Sequence, residues 1–204
     1  MKSLIFLFVG FFILSCNTAT NHSNDTNSAF EKEDSNLSGK KVLENIELQK
    51  LIKSTQKNIN DLETKSGLSF KKNLIVGKLV DNTFQINDGI SYNILKLNVE
   101  LESLKLGYNV DYATTEFVSK ADNNGFAMIV FKGKSKTSGT TVSMAIDLNE
   151  NKNTNTYSVN PNPISHLVCE GCSDGCSPRR HENGDGYCTP CNPYSDTCKK
   201  TESL

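Results

Sequence analysis

The sequence predicts an α+β fold, in which an N-terminal amphipathic helix packs on an antiparallel β-sheet and an irregular, cysteine-rich C-terminal tail follows. Three features of the 204-residue chain support this prediction. Apolar residues recur at three- and four-residue spacing between residues 41 and 66. Runs of β-branched and aromatic residues, separated by turn sequences, fill residues 68–157. Six of the seven cysteines lie after residue 168.

The first sixteen residues, MKSLIFLFVGFFILSC, have the order of an export signal. Lys2 precedes an uninterrupted apolar run from Leu4 to Leu14. This run is too short to cross a bilayer as a helix, which takes about 20 residues, but it suits the core of a signal peptide. It ends on ILSC, residues 13–16, which resembles the lipobox of bacterial lipoproteins. The resemblance covers only the signal, and it implies cleavage before Cys16 and attachment of a diacylglycerol to that cysteine.

Membership of this class would place the protein in the cell envelope, anchored by lipid to a membrane surface. Acyl chains on one residue give a lasting anchor, because each buried methylene contributes about 0.8 kcal/mol. Residues 17–20, NTAT, lack the aspartate that similar lipoproteins use to stay on the inner membrane, so the outer membrane is favoured. Lipidation of Cys16 also leaves an even number of cysteines, which can pair with one another.

After the signal peptide, residues 1–15, composition predicts a stalk and then a helix. Residues 16–40 are rich in Asn, Ser and Thr and bury too little apolar surface to offset their ordering entropy, so we expect a flexible stalk. From residue 41 an apolar stripe continues to Leu62, and Gly67 offers a C-terminal stop, which predicts a helix of about 24 residues. The mixed charges on its polar face favour packing on a sheet over a coiled-coil seam or a membrane-surface helix.

Residues 41–159 form the predicted α+β domain, and turn sequences at 87–89, 122–125 and 137–139 separate its strands. The segment FAMIVF, residues 126–131, is apolar on both faces, as in a central strand. The segment VSMAIDL, residues 142–148, alternates, which indicates a neighbouring strand with one solvated face. The two segments predict a hairpin. Residues 90–106 fit a strand or a helix, and we favour a strand.

The central domain carries no sequence motif of a known catalytic site. No histidine lies between His22 and His166, and Gly-rich phosphate loops, G-x-S-x-G and H-E-x-x-H are absent from the sequence. Asp111 and Glu116 have no spacing that implies a catalytic pair, and we interpret them as surface residues. The net charge of −1 gives no reason to expect nucleic acid as a partner. A binding or interaction module is therefore favoured over an enzyme, with an unidentified envelope protein or ligand as its partner.

Residues 160–204 form the predicted cysteine-rich module. The sequence NPNP at its start interrupts regular structure, and so few large apolar residues follow that the segment needs disulfides, a metal or a host surface. Six cysteines can pair in fifteen ways. Bridges between the first and the second cysteine cluster would close loops of about 15 residues or more and contribute about 3 kcal/mol each, so we expect mostly inter-cluster disulfides. The six residues are Cys169, Cys172, Cys176, Cys188, Cys191 and Cys198.

A metal site is the main alternative to disulfides. Cys169-x-x-Cys172 and Cys188-x-x-Cys191 have the spacing of a four-cysteine zinc site, and His181 could replace one sulfur. Zinc would then be the cofactor, whereas the disulfide interpretation needs none.

Three observations favour disulfides over zinc. An exported chain meets oxidising conditions. Four zinc ligands would leave Cys176 and Cys198 over, and Pro190 lacks the backbone N–H that a zinc-knuckle turn offers to a sulfur. A third, redox interpretation rests on CTPC, residues 188–191, which resembles the Cys-x-Pro-Cys site of thioredoxin-like oxidoreductases; too few residues follow it to build that fold.

The segment between the two cysteine clusters predicts a hairpin-like turn. NGDG, residues 183–186, is a double turn signal that would bring the clusters together. Arg179 and Arg180 precede it as a basic pair, and we interpret both as solvated turn residues.

Overall fold

The computed structural model describes residues 31–72, 74–163, 165–172, 175–191 and 198–203. The predicted signal peptide, the lipidation site Cys16 and the predicted stalk up to residue 30 lie outside the described residues. The chain divides into two compact units, Met1–Gly39 and Lys40–Leu204. In the first unit, residues 31–39 are helical. The rest of the described structure belongs to the second unit.

The fold is α+β, with an antiparallel sheet and a cysteine-rich C-terminal region, as predicted. The helices are α1 (Glu31–Ser66) and α2 (Gly89–Lys105), and a 3₁₀ turn covers Phe70–Lys72. The strands are β1 (Ile75–Val80), β2 (Thr83–Ile86), β3 (Val110–Val118), β4 (Ala127–Ser135), β5 (Thr141–Asn151), β6 (Thr156–Val159), β7 (His166–Gly171), β8 (Pro178–Arg180), β9 (Gly186–Cys188) and β10 (Lys199–Ser203).

Strand β5 lies at the centre of an eight-stranded sheet. Along one path the strand order is β10-β7-β5-β6-β1-β2, while β4 pairs with the other edge of β5 and β3 pairs with β4. The predicted hairpin of β4 and β5 is confirmed, with a register from Ala127 opposite Leu148 to Lys134 opposite Thr141. The alternation of residues 142–148 favours this register, because a slip of one residue would turn every side chain of β5 to the opposite face.

The sheet forks at one edge of β5. Strand β7 pairs with β5 at residues 141–145, and β6 pairs with it at residues 148–151. Ile146 and Asp147 lie between the two partners, where β6 and β7 diverge. The loop that joins β6 and β7 makes one backbone contact with β5 at this fork: the backbone N–H of Asn160 donates to the Asp147 carbonyl at 2.9 Å.

Helix α2 covers one face of the sheet, so the strand interpretation of residues 90–106 is wrong. Ile94, Leu95 and Val99 are fully buried in a core shared with β1, β3, β4, β5 and β6. Their spacing follows a helical period, and Asp88 caps the helix by accepting from the backbone N–H of Ser91 at 2.7 Å. The turn sequence at 87–89 is therefore a helix start.

Helix α1 begins at Glu31, inside the segment predicted as a stalk, and ends at Ser66. Gly67 follows with φ of 71°, which confirms the predicted stop. Near this end Ile59 is buried and Leu62 packs against the main core. The wider prediction, that this helix packs on the sheet, stays a prediction. Among the described residues no helix has the length and apolarity needed to cross a membrane.

The C-terminal region covers the other face of β5, which corrects two predictions. Ser143, Ala145 and Asp147 are all buried, so this face of β5 is not solvated. The region is not irregular either, since β7 and β10 are strands of the main sheet and β8 pairs with β9 in a hairpin. Backbone pairing with the sheet replaces the core that the segment cannot form alone. We call residues 175–191 the cover.

The sheet curls around α2 until its outer strands meet. Phe84 of β2 and Phe117 of β3 lie at different ends of the strand order, yet their rings stack with centroids 4.3 Å apart. Tyr157 of β6 packs edge-on against Phe117 at 4.9 Å. These contacts close the end of the α2 core.

Candidate functional site

Three disulfides cross-link the C-terminal region, and each joins the first cysteine cluster to the second. The predicted inter-cluster pairing is confirmed. Their Cα–Cα distances lie in the usual range for disulfides. They are Cys169–Cys188 at 5.8 Å, Cys172–Cys191 at 5.9 Å and Cys176–Cys198 at 6.2 Å.

The disulfides attach the cover to the sheet. Cys169 is fully buried on β7, and in the register of the adjacent strand β10 it lies opposite Lys200. Cys188 ends the second strand of the β8–β9 hairpin, opposite Pro178. The predicted turn of residues 183–186 joins these two strands. One bridge therefore joins the main sheet directly to the hairpin that covers its second face.

The structure does not gather the residues of the predicted zinc site. The sulfurs form two groups of three, with all atoms of a group within 4.8 Å of one another. Cys169 and Cys188 lie in the group that includes Cys198, and Cys172 and Cys191 lie in the group that includes Cys176. His181 is in neither; its ring stacks on Tyr187 at 4.3 Å. Zinc would require free thiols and stays a prediction.

Arg180 is the polar centre of the contact between cover and sheet. Only 1% of it is exposed, and it faces Asp147 of β5, of which 6% is exposed. Its Nε and Nη2 donate to the two carboxylate oxygens at 3.0 and 2.9 Å. Nη2 also donates to the Ser165 carbonyl at 2.8 Å, and Nη1 to the Gly184 carbonyl at 2.9 Å. The interpretation of Arg180 as a solvated turn residue is wrong.

The backbone of Arg180 is held as firmly as its side chain. Its N–H donates to Oδ1 of Asn123 at 2.8 Å, and its carbonyl accepts from Nδ2 of Asn124 at 2.6 Å. Both asparagines belong to the β3–β4 turn, where Asn124 has φ of 51°. The turn that the sequence marks only as a strand boundary therefore also positions the cover.

Arg179 forms a second and more exposed ion pair. Its Nη2 donates to Oε1 of Glu116 at 2.8 Å, and Lys132 lies 2.9 Å from the other carboxylate oxygen. Burial raises the pKa of Glu116, but hydrogen bonds and charge from Lys132 and Arg179 outweigh it and hold this pKa below its ordinary value. Asp111 is exposed, as interpreted; Glu116 is instead a partner of the cover.

A cleft of about 440 Å³ opens at the fork in the sheet. This volume is typical of small-molecule sites, which occupy about 300–1,000 Å³. We call it the fork cleft. Strand β5, helix α2, the 3₁₀ turn and the β6–β7 loop all contribute to it. Its lining residues are Phe70, Lys71, Asn98, Glu102, Ala145, Ile146, Asp147, Asn160, Pro161, Asn162, Pro163, Ser165 and His166.

The charged groups of the fork cleft are largely paired. Asp147 is bound to Arg180, as described above. Glu102 accepts from Lys105 at 2.7 Å, and its second oxygen lies 4.0 Å from Nε2 of His166. The Ser165 hydroxyl donates to Glu202 of β10 at 2.5 Å. This hydrogen bond is the main cause that holds the pKa of Glu202 below its ordinary value; burial raises this pKa, but the bond and the nearby charges of Lys200 and Arg180 outweigh that effect.

The fork cleft was not predicted from the sequence. The sequence marks His166 as the first histidine after a long gap and indicates no role for it. The one available signal is NPNP, residues 160–163, which was interpreted as a domain boundary. Those residues form one wall of the cleft.

Comparisons with protein-family models, with curated proteins and with solved structures found no match to this chain. Function therefore has to be argued from the sites themselves.

Proposed function

We propose that this protein is a bacterial lipoprotein, anchored in the cell envelope through Cys16, and that it acts as a binding module with the fork cleft as its ligand site. The observation that carries the proposal is the cleft, a concave site of about 440 Å³ between a helix and a forked sheet. The outer membrane is the favoured location, on the resemblance of the signal alone.

The disulfides support an exported protein. All six described cysteines are paired, and disulfides form and persist in oxidising compartments such as the bacterial periplasm. The lipobox resemblance accounts for the remaining cysteine. Export and lipidation thus explain the whole cysteine content of the chain.

Binding fits the cleft better than catalysis. Both oxygens of Asp147 accept from Arg180, and the Ser165 hydroxyl is bound to Glu202. A general base must be free to take a proton from the substrate, and a nucleophile must be free to attack it; these two groups are instead bound to Arg180 and Glu202. That leaves the amide side chains of Asn98 and Asn160 as polar contacts for a ligand.

We also propose that α1 packs on the domain along one face. The side chains of Leu48, Ile52, Thr55, Ile59 and Leu62 are less exposed than those between them, at alternating spacings of four and three residues. This period is that of a helix with one buried stripe.

Replacement of the lipidated cysteine tests the anchor. With Cys16→Ser we expect no incorporation of labelled fatty acid, no cleavage before residue 16 and altered membrane fractionation. Ser15→Ala is the matched control, because it changes the adjacent residue and keeps the cysteine. Unchanged processing and membrane association of Cys16→Ser would refute the lipoprotein proposal.

A cleft-filling substitution tests the binding site. The purified lipidated protein, held in detergent, is screened against a library of small polar fragments by ligand-observed NMR. Asn98→Trp places a large ring in the fork cleft and should abolish the hits, whereas Asn93→Trp, at an exposed position of the same helix, should retain them. A screen without hits, or hits that survive Asn98→Trp, would overturn the assignment of the site.

The grouping of the six sulfurs favours thiol–disulfide chemistry as the second candidate. Each disulfide has a further sulfur within 4.8 Å, so once an external thiol has reduced one bridge, the thiolate released could attack a neighbouring disulfide. The predicted four-cysteine zinc site would likewise require reduction of the bridges. Counting free thiols and measuring zinc on the exported, non-reduced protein decides between the two. The structural role requires no free thiols and no bound zinc; four or more thiols with stoichiometric zinc would replace it.

A further inference from the structure

We infer that the fork cleft binds an uncharged sugar, a ligand that presents hydroxyl groups around an apolar ring face. This inference rests on the proposed binding function and adds the chemical class of the ligand. Three properties of the lining carry it: internally paired charges, amide groups with unused hydrogen-bonding capacity, and apolar surface beside them.

The paired charges favour a neutral ligand. The carboxylate of Asp147 is neutralised by Arg180, and that of Glu102 by Lys105. A charged ligand loses its hydration on entering a cleft and needs an unpaired countercharge there to offset the loss. Lys71, the one lysine of the lining, is exposed to solvent.

The amide side chains suit hydroxyl groups. A hydroxyl donates and accepts at once, and so does a carboxamide. Asn98 donates one N–H to the Ile94 carbonyl at 2.8 Å, and Asn160 accepts one bond, from the backbone N–H of Asn162. Among the described residues, the Asn98 Oδ1 and the Asn160 Nδ2 have no hydrogen-bond partner. They remain available, as an acceptor and a donor, on two different elements of the cleft lining, helix α2 and the β6–β7 loop.

The apolar lining and the paired backbone favour a sugar over a peptide. Phe70, Ile146 and Pro161 offer surface for the C–H face of a pyranose ring. An extended peptide would instead need an open sheet edge with free backbone groups. At the fork the Asp147 carbonyl already accepts from Asn160, so strand addition has no acceptor at that position.

Methyl NMR on the full lipidated protein in detergent, labelled at isoleucine methyls, tests the inference. The probes are glucose, N-acetylglucosamine, a dipeptide blocked at both ends, and inorganic phosphate. We expect at least one sugar to shift the Ile146 methyl signal with saturation and to leave Ile86, on the edge strand β2, unchanged. Asn98→Ala should weaken sugar binding about tenfold, the loss expected for one hydrogen bond to a neutral ligand, while Asn93→Ala should not.

The outcomes separate this inference from the function on which it rests. If only the dipeptide or phosphate shifts Ile146, the cleft is a binding site and the sugar assignment is wrong. If the fragment screen gives hits that Asn98→Trp abolishes and no sugar shifts Ile146 at millimolar concentration, the sugar assignment likewise fails alone. If the fragment screen itself gives no cleft hits, the binding function fails, and a sugar response at Ile146 is then not expected either.

Discussion

Replacement of Arg180 should destabilise the protein more than any other change to the cover. In Arg180→Met, Asp147 would keep its buried carboxylate and lose both hydrogen bonds to it. The carbonyls of Ser165 and Gly184 would lose donors as well. Removal of one partner from a buried ion pair costs about 3–5 kcal/mol, because the other charge remains uncompensated. We expect about 4 kcal/mol, a large part of the stability of a typical domain.

Equilibrium urea unfolding under non-reducing conditions measures this loss. With a slope of about 2 kcal/mol per molar urea, the midpoint should fall by roughly 2 M at unchanged slope. Arg179→Met is the matched control in the adjacent position. Its partner Glu116 has a side chain 40% exposed, so solvent screens the pair and the cost should stay below about 1 kcal/mol.

A double-mutant cycle isolates the ion pair itself. Arg180→Met combined with Asp147→Leu removes both charges, so the double variant should recover about 2 kcal/mol or more relative to the sum of the single losses. Equal losses for Arg179→Met and Arg180→Met would refute the burial argument. Losses of the Arg180 and Asp147 variants that add to within about 0.5 kcal/mol would refute the coupling.

Three further predictions concern the cap, a close backbone approach and one disulfide. A hydrogen bond from a backbone N–H in the first turn of α2 is the main cause that lowers the pKa of Asp88 below its ordinary value of 3.8; Asp88→Ala should therefore cost about 1 kcal/mol at neutral pH. Since the folded pKa is the lower one, this contribution is present above pH 3.8 and is lost as pH falls through the folded value, so the difference between the thermal melts of variant and wild type should shrink as pH falls below 3.8. A Cβ at Gly133 would meet the backbone of the paired strand β3, whereas one at Gly89 meets nothing within 4 Å; Gly133→Ala should cost about 1–3 kcal/mol in urea unfolding and Gly89→Ala far less. Alanine at both Cys176 and Cys198, whose bridge spans 22 residues, should cost about 3 kcal/mol in the same assay, and an unchanged midpoint would show that the bridge adds nothing to the other two.

The central hairpin was predictable from sequence because its signal is local. The segment at 126–131 is a continuous apolar run, the segment at 142–148 alternates with a strand period, and the turn sequence at 137–139 lies between them. These local patterns predict both strands and the hairpin. Pairing of the two cysteine clusters was predictable for a similar reason, since loop length alone favours the longer bridges.

Helix α2 was not assigned correctly because its residues satisfy two periods at once. Leu95, Leu97, Val99 and Leu101 alternate like a strand, while Ile94, Leu101 and Leu104 continue a helical stripe. Two signals could have decided it. Seventeen residues exceed the usual length of a strand, and an aspartate at position 88 is a common helix cap.

No feature of the sequence near Arg180 predicts that its side chain is buried. Its partner Asp147 lies 33 residues earlier, on a strand whose other members on that face are small or polar. Small and polar residues on alternate positions of a strand normally indicate a solvated face. A face that is covered through polar contacts has the same sequence pattern. Only the tertiary pairing distinguishes the two, because a charged side chain becomes buried when a specific partner offsets its desolvation.

The position of Asp147 explains why the cover and the fork cleft belong to one site. Its side chain holds Arg180 on the covered face, while its backbone accepts from Asn160 at the cleft. Ser165 has the same double role, since it lines the cleft and accepts from Arg180 through its carbonyl. A change that loosens the cover therefore reaches two residues of the cleft without touching any ligand. The disulfides stabilise that arrangement from outside, through Cys169 on the strand that begins one residue after Ser165.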